Sequence, residues 1–227
     1  MATILHIDTS GPAGIAMLSR DGKAIAFRRS DGEREHAGNI NGMISGLLQE
    51  QALSLSEIDA FAVCNGPGSY TGLRIGLATA KGFCFVLNKP LLLHNRLQLM
   101  LREAAQLFPG SVSTLALLPA RSGEYYAAAT GAIPMEPTHI TIHSLINILG
   151  ASENSLTIIG RAAEDLSSIM SSGLTKFVEH SLLNNDVWAA EAERSFTSGN
   201  FADIAYADPE YLKPAFITAK RPENRIQ

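Results

Sequence analysis

The chain has 227 residues, 46% of them hydrophobic and 18% charged, which excludes a disordered or low-complexity polypeptide and suffices for one large domain or two small lobes. A formal net charge of -4 and a pI near 5.9 leave no basic field, so tight autonomous binding to a nucleic-acid backbone lacks its usual electrostatic drive. Any RNA chemistry would then belong to a partner.

In chain order, Met1 runs directly into a strand-like segment with no basic n-region or cleavable apolar run, so no leader is expected. The first thirty residues predict a meander of three strands over 3–8, 14–19 and 23–29, with Asp21-Gly22 as the tight turn. Over 37–51 the apolar Ile40, Met43, Ile44, Leu47 and Leu48 recur at helical spacing and predict an amphipathic helix.

An apolar run at 58–64 reads as a strand. The loop Gly66-Pro67-Gly68-Ser69-Tyr70-Thr71-Gly72 separates it from a helix at 73–87. That helix is apolar on nearly every face, with only Arg74 and Lys81 charged, so either its own fold or another chain must cover it. After Pro90 come a strand at 91–93 and a helix at 97–107. A hairpin follows over 114–118 and 125–130, then an extended segment at 139–142. Short helices at 145–149 and 162–170 flank a strand at 156–159, and a strand at 176–178 and a helix at 187–199 follow. Two successive series of hairpin strands, strands and helices predict a two-lobed α/β protein, with lobes over 1–100 and 101–227. No stretch reaches the roughly 20 apolar residues of a membrane-spanning helix, so no membrane contact is expected.

Chemistry-bearing patterns are few. The glycine loop at a helix N-terminus offers free N–H groups to an anion, but it lacks the Lys of a phosphate loop; a sharp turn with close backbone packing is the simpler reading. Asp8-Thr9-Ser10 ends the first strand, where a carboxylate can orient a hydrated metal and hydroxyls can meet a phosphate, or all three can form a local turn. His139 and His143 have the spacing of a helical zinc pair, yet the intervening Ile-Thr-Ile favours a strand, which would hold them about 13 Å apart. His36 and His94 stand alone and read as surface or capping residues. Cys64 and Cys84 lie in apolar runs without metal-knuckle or redox spacing, as reduced core thiols of a cytoplasmic protein do. No nucleophile, base and orienter can be assembled, so neither a catalytic site, a metal nor a cofactor is expected.

Several blocks together resemble one family. Ile7-Asp8-Thr9-Ser10, Arg34-Glu35-His36, the run from Gly66 through Gly72 to Leu73-Arg74-Ile75-Gly76, Ala120-Arg121-Ser122-Gly123-Glu124-Tyr125-Tyr126 and Tyr211-Leu212 are similar to the TsaB (YeaZ) family. The resemblance implies a duplicated ribonuclease-H-like fold of the two-lobed actin/Hsp70 (ASKHA) type. It also implies kinship to TsaD, the catalytic subunit that transfers a threonylcarbamoyl group to a tRNA adenosine (t6A). The family member is then a non-catalytic subunit whose two early helices pair with a TsaD-type subunit or, in its absence, with a second copy. A TsaE-type ATPase joins the assembly, and tRNA is met only indirectly.

The segments that match this interface are the stripe of Ile40, Met43, Ile44 and Leu47 and the helix face of Leu73, Leu77, Ala80, Lys81 and Cys84. The sequence departs from the pattern in three places: His94 lacks the second histidine of the TsaD metal pair, the superfamily's adenosine-binding glycines are reduced to Gly160, and Pro119 stands where many family members have Asp. The alternative reading is a metallopeptidase-like or kinase-like enzyme of the same superfamily.

Overall fold

The computed structural model describes residues 2–30, 36–150, 156–161, 175–180 and 182–213. The strands β1 (Thr3–Asp8), β2 (Ile15–Arg20) and β3 (Lys23–Arg29) form the expected meander, and the turn between β2 and β3 uses positive φ at Asp21 and Gly22. Helix α1 (His36–Glu50), strand β4 (Ala60–Gly66), helix α2 (Tyr70–Leu87) and strand β5 (Leu91–Asn95) follow. Their sheet has the order β3-β2-β1-β4-β5, with β4 and β5 parallel to β1.

Helix α3 (Arg96–Leu107) then leads to β6 (Ser113–Arg121), β7 (Glu124–Gly131), β8 (Met135–Thr141), helix α4 (Ile142–Gly150), β9 (Leu156–Gly160) and β10 (Thr175–Glu179). The second sheet runs β10-β9-β6-β7-β8. Read from β8, it repeats the first sheet strand for strand: an antiparallel hairpin series, then two parallel strands added to the far side of the first. The duplication invisible in residue identity is thus explicit in topology, and the fold is the two-lobed α/β arrangement of the actin/Hsp70 type. The expected helix at 162–170 lies outside the described residues.

Each sheet is covered on both faces. On the outer face of the first, Leu5, Ile7, Phe61 and Val63 pack against Ile40, Ile44 and Leu47 of α1 and Leu77 and Ala80 of α2. Its inner face carries Ile15, Met17 and Cys64 against Leu99 of α3 and Trp188 of the last helix, α5 (Asn185–Thr197). The second sheet packs Leu115, Tyr125 and Ile158 against Leu145 of α4 on one side. On the other, Ala116, Ala128 and Ile159 meet Leu97, Met100 and Ala104 of α3. So α3 lies between the sheets, and α5 packs beside it on the inner face of the first.

This arrangement revises the expected division of the chain. Although α5 follows the second strand series, its Trp188, Ala189 and Ala192 pack on the first sheet, and Ala202 beyond it bridges to Leu91. The apolar inner face of the first sheet needs that cover. Smaller differences concern helix starts: α2 begins three residues early because the Ser69 hydroxyl accepts from Gly72 N–H, and α3 begins early because the Asn95 side chain accepts from Leu97 and Gln98 N–H. His143 lies in α4 and His139 in β8, so the two do not share the expected strand.

Candidate functional site

Between the lobes, the end of β1 meets the glycine loop and the start of α3. The Asp8 carboxylate is fully buried, and both its oxygens are engaged: Oδ1 accepts from Ser10 N–H at 2.8 Å and Ser10 Oγ at 2.5 Å, while Oδ2 lies 3.3 Å from Arg96 Nη1. Arg96 also donates to Ser10 Oγ at 3.0 Å and is itself only 4% exposed. Thr9 Oγ1 donates to Gly72 O at 2.6 Å. Where the sequence offered a carboxylate for a hydrated metal, the fold supplies a guanidinium, whose charge offsets the buried carboxylate. Among the described residues, no group of three or more His, Cys, Asp and Glu side chains is placed to hold a metal ion.

The glycine loop serves close packing. A Cβ at Gly68 would lie 2.3 Å from Ser10 O, and one at Gly72 would lie 1.9 Å from Thr9 O. Ser69 N–H donates to Ser10 O at 2.9 Å, so the loop clasps the β1–β2 connection. Gly160 plays a similar part in the second lobe, where a Cβ would lie 1.9 Å from Leu117 O. Its neighbour Ala162, like Arg34 and Glu35, lies outside the described residues. Pro119 sits in β6 opposite Tyr125, where the strand register shifts.

His94 is neither a surface nor a capping residue. It is 6% exposed, its Nδ1 accepts from Trp188 Nε1 at 3.2 Å, and its Nε2 lies 3.3 Å from Ser195 Oγ. An indole N–H can only donate, so Nδ1 is the acceptor and the ring proton of the neutral histidine sits on Nε2. Burial, aided by Arg102, pushes the His94 pKa down to about 4. His6, missed in the sequence, packs edge-on against Trp188 and shares a 2.7 Å hydrogen bond with Ser19 Oγ; burial and then His94 hold its pKa well below the usual histidine range. The pair helps fix α5 to the first sheet. Cys64 and Cys84 are free, buried thiols, each pushed by burial up to about 12.

The expected interface residues divide sharply. Ile40, Met43, Ile44, Leu47, Leu73, Leu77, Ala80 and Cys84 are at most 6% exposed and form the chain's own core. They face inward because the sheet below needs an apolar cover. In this conformation those side chains are committed to packing within the chain. Lys81 is half-buried and donates to Ala207 O at 2.9 Å.

The outward face of α2 is instead Thr71, Arg74, Ala78, Gly82, Phe85 and Val86, all exposed, at spacings of three and four residues that keep them on one side. Phe85 is 81% and Val86 79% exposed, and nothing lies within 4 Å of where a Gly82 Cβ would be. Beside them, a groove of about 530 Å³ runs between α1 and Phe83, bordered by Ser45, Leu48 and Leu53. The signal for this face was present in the sequence: two adjacent large apolar residues at the end of a helix whose other face already carried enough apolar surface for a core.

Comparison with known proteins gives the kinship. A protein-family model described as TsaD, tRNA N6-adenosine threonylcarbamoyltransferase, matches residues 30–206. The tRNA threonylcarbamoyladenosine biosynthesis protein TsaB of Haemophilus influenzae is 34% identical over 125 residues, covering 55% of this chain and 52% of that protein. TsaB of Escherichia coli is 36% identical over 125 residues, covering 55% and 53%. The chain thus matches about half the length of these curated relatives. A crystal structure of a Pseudomonas aeruginosa protein with similarity to peptidase YEAZ superposes with a TM-score of 0.76 at 25% identity, over 94% of this chain and 100% of that one. Together with the duplicated lobes and the glycine-rich clasp, these matches show that the chain belongs to the TsaD family, with similarity to its TsaB (YeaZ) proteins.

Proposed function

We propose that the chain is an accessory, non-catalytic subunit in t6A biosynthesis, which binds and activates a TsaD-type catalytic subunit. The observation that carries this reading is the outward face of α2. A folded monomer gains nothing by exposing Phe85 and Val86 beside Gly82 and Ala78, whereas a partner helix can approach closely over the small residues and bury the large ones. Each such side chain, once buried, contributes roughly 1.5–3 kcal/mol before association costs. The small and polar outer residues of α1, Asn39, Gly42 and Ser45, extend the face without adding charge.

The interlobe cleft supports the non-catalytic part of the reading. Asp8 is neutralised by Arg96, His94 is tied to Trp188 and Ser195, and both thiols are buried, so these groups are committed to structure. A second copy would use the same face when no TsaD-type subunit is present, and a TsaE-type ATPase would join the assembly in the cytoplasm. tRNA would be held by the catalytic subunit, since this chain's net charge of -4 gives it little pull on a phosphate backbone. The test is reconstitution: TsaD-type and TsaE-type subunits should modify tRNA when this chain is present and lose most activity when it is omitted. Equal modification without it would reject the assignment.

A further inference from the structure

We infer that residues 207–213 form a strap that couples the exposed face of α2 to the angle between the two lobes. At the first lobe the strap is held at several points. Lys81 Nζ donates to Ala207 O, Glu210 N–H donates to Asn65 O at 2.8 Å, and Asn95 Nδ2 donates to Glu210 Oε2 at 2.8 Å. Glu210 O comes so near the glycine loop that a Cβ at Gly66 would lie 2.6 Å from it.

Tyr211 then stacks on Tyr70, with ring centroids 4.7 Å apart, and its hydroxyl accepts from Arg74 Nε at 2.9 Å. The Arg74 guanidinium lies 4.4 Å from the centre of the Tyr70 ring, so all three side chains form one unit on the first turn of α2. The next two residues belong to the other lobe. Leu212 packs on the apolar cluster that α3 forms with Ala116, Ala128 and Ile159 of the second sheet, and Lys213 pairs with Glu124 of β7. A pocket of about 390 Å³ opens between the lobes here, lined by Tyr70 and Leu73 from one side, Arg121 and Tyr126 from the other, and Tyr211 and Lys213 from the strap.

Two successive residues thus grip different lobes. Opening the cleft must either break the Tyr211 unit or withdraw Leu212 and Lys213. Arg74 and Tyr70 are exposed, so a molecule resting on the outward face of α2 touches the same unit. The coupling follows from the strap's own contacts and stands whatever that molecule is.

The test uses the full chain with spin labels on Ser56→Cys in the first lobe and Glu136→Cys in the second, both exposed positions. The native thiols are buried, with pKa values near 12, and resist labelling. Tyr211→Ala should broaden the interlobe distance distribution and raise amide exchange about tenfold at both 66–73 and 121–126. Tyr211→Phe, which keeps the stack and loses the Arg74 hydrogen bond, should do so to a lesser degree. Lys213→Ala, which cuts the far end, should loosen 66–73 in the first lobe although it touches only the second. An unchanged distance distribution, with faster exchange confined to 207–213, would overturn the inference. Should Tyr211→Ala fail to fold, the other two variants decide the matter by the same readouts.

Discussion

The two faces of α2 share one helix and differ sharply in what they touch. The inward face, with Leu73, Leu77, Ala80 and Cys84, is sealed against the first sheet and α1. The outward face ends in Phe85 and Val86, which touch mostly solvent. A helix that is apolar all round is therefore serving two partners at once: its own sheet and, on our reading, another chain. The comparison teaches that hydrophobicity marks such a helix, whereas only packing shows which residues serve which partner.

The sharpest way to break the comparison is a charge on each face. Leu77→Glu places a carboxylate in the core and should cost about 4 kcal/mol or more, enough to abolish cooperative unfolding in a denaturant titration. A well-folded Leu77→Glu protein would show that the inward face is not core.

The interlobe ion pair gives the next effect. Arg96→Ala leaves Asp8 buried and uncompensated, and should destabilise by about 3–5 kcal/mol in chemical denaturation. Adding Asp8→Asn should recover part of that loss, because the amide carries no charge to desolvate. No recovery would mean that Arg96 acts chiefly through its close approach to Gly11, where a Cβ would lie 2.6 Å from Arg96 Nη1.

A third measurement compares the inner face of the sheet with the outer. His94 titrates near 6.5 when unfolded and near 4 when folded, so the unfolded chain binds more protons between those values. Stability due to the neutral ring is fully present above pH 6.5 and falls as pH drops toward about 4, by about 1.4 kcal/mol per pH unit. His6, also depressed, adds to the fall in the same direction. Thermal or denaturant unfolding across this range should show the slope, and His94→Asn should flatten it. An unaltered slope in that variant would remove His94 from the account.

Much of the fold was legible in the sequence because hydrophobic period and turn residues both pointed the same way. Asp21-Gly22 fixed the β2–β3 hairpin, and the stripe from Ile40 to Leu48 fixed α1. The second lobe was less clear: its helix α4 begins at Ile142, directly after a β-branched run that reads equally well as a strand. The placement of α5 on the first sheet needed knowledge of which sheet face lacked cover, which no local pattern supplies.

The sequence put the expected interface on apolar side chains of α1 and α2 that the structure buries, whereas the surface we propose is the outward face of α2. Buried and exposed apolar residues look alike in a sequence. The polar clusters were missed for a related reason, since their members are distant in the chain: His6, His94 and Trp188 meet only through the fold, as do Asp8 and Arg96. One local sign existed. An arginine at the first position of a helix opposes the helix dipole, and Arg96 tolerates that place because Asp8 faces it.

The smallest effect on stability accompanies the largest expected effect on binding. Phe85→Glu with Val86→Glu alters only exposed positions, and the fold should lose no more than about 1–2 kcal/mol, since two carboxylates in the last turn of α2 oppose its dipole. Titrating a TsaD-type subunit with this double variant and with the unaltered chain, alongside their unfolding curves, is the most direct test of the outward face. We predict cooperative unfolding and an affinity weaker by about thirtyfold or more. Cooperative unfolding with undiminished affinity would contradict the account.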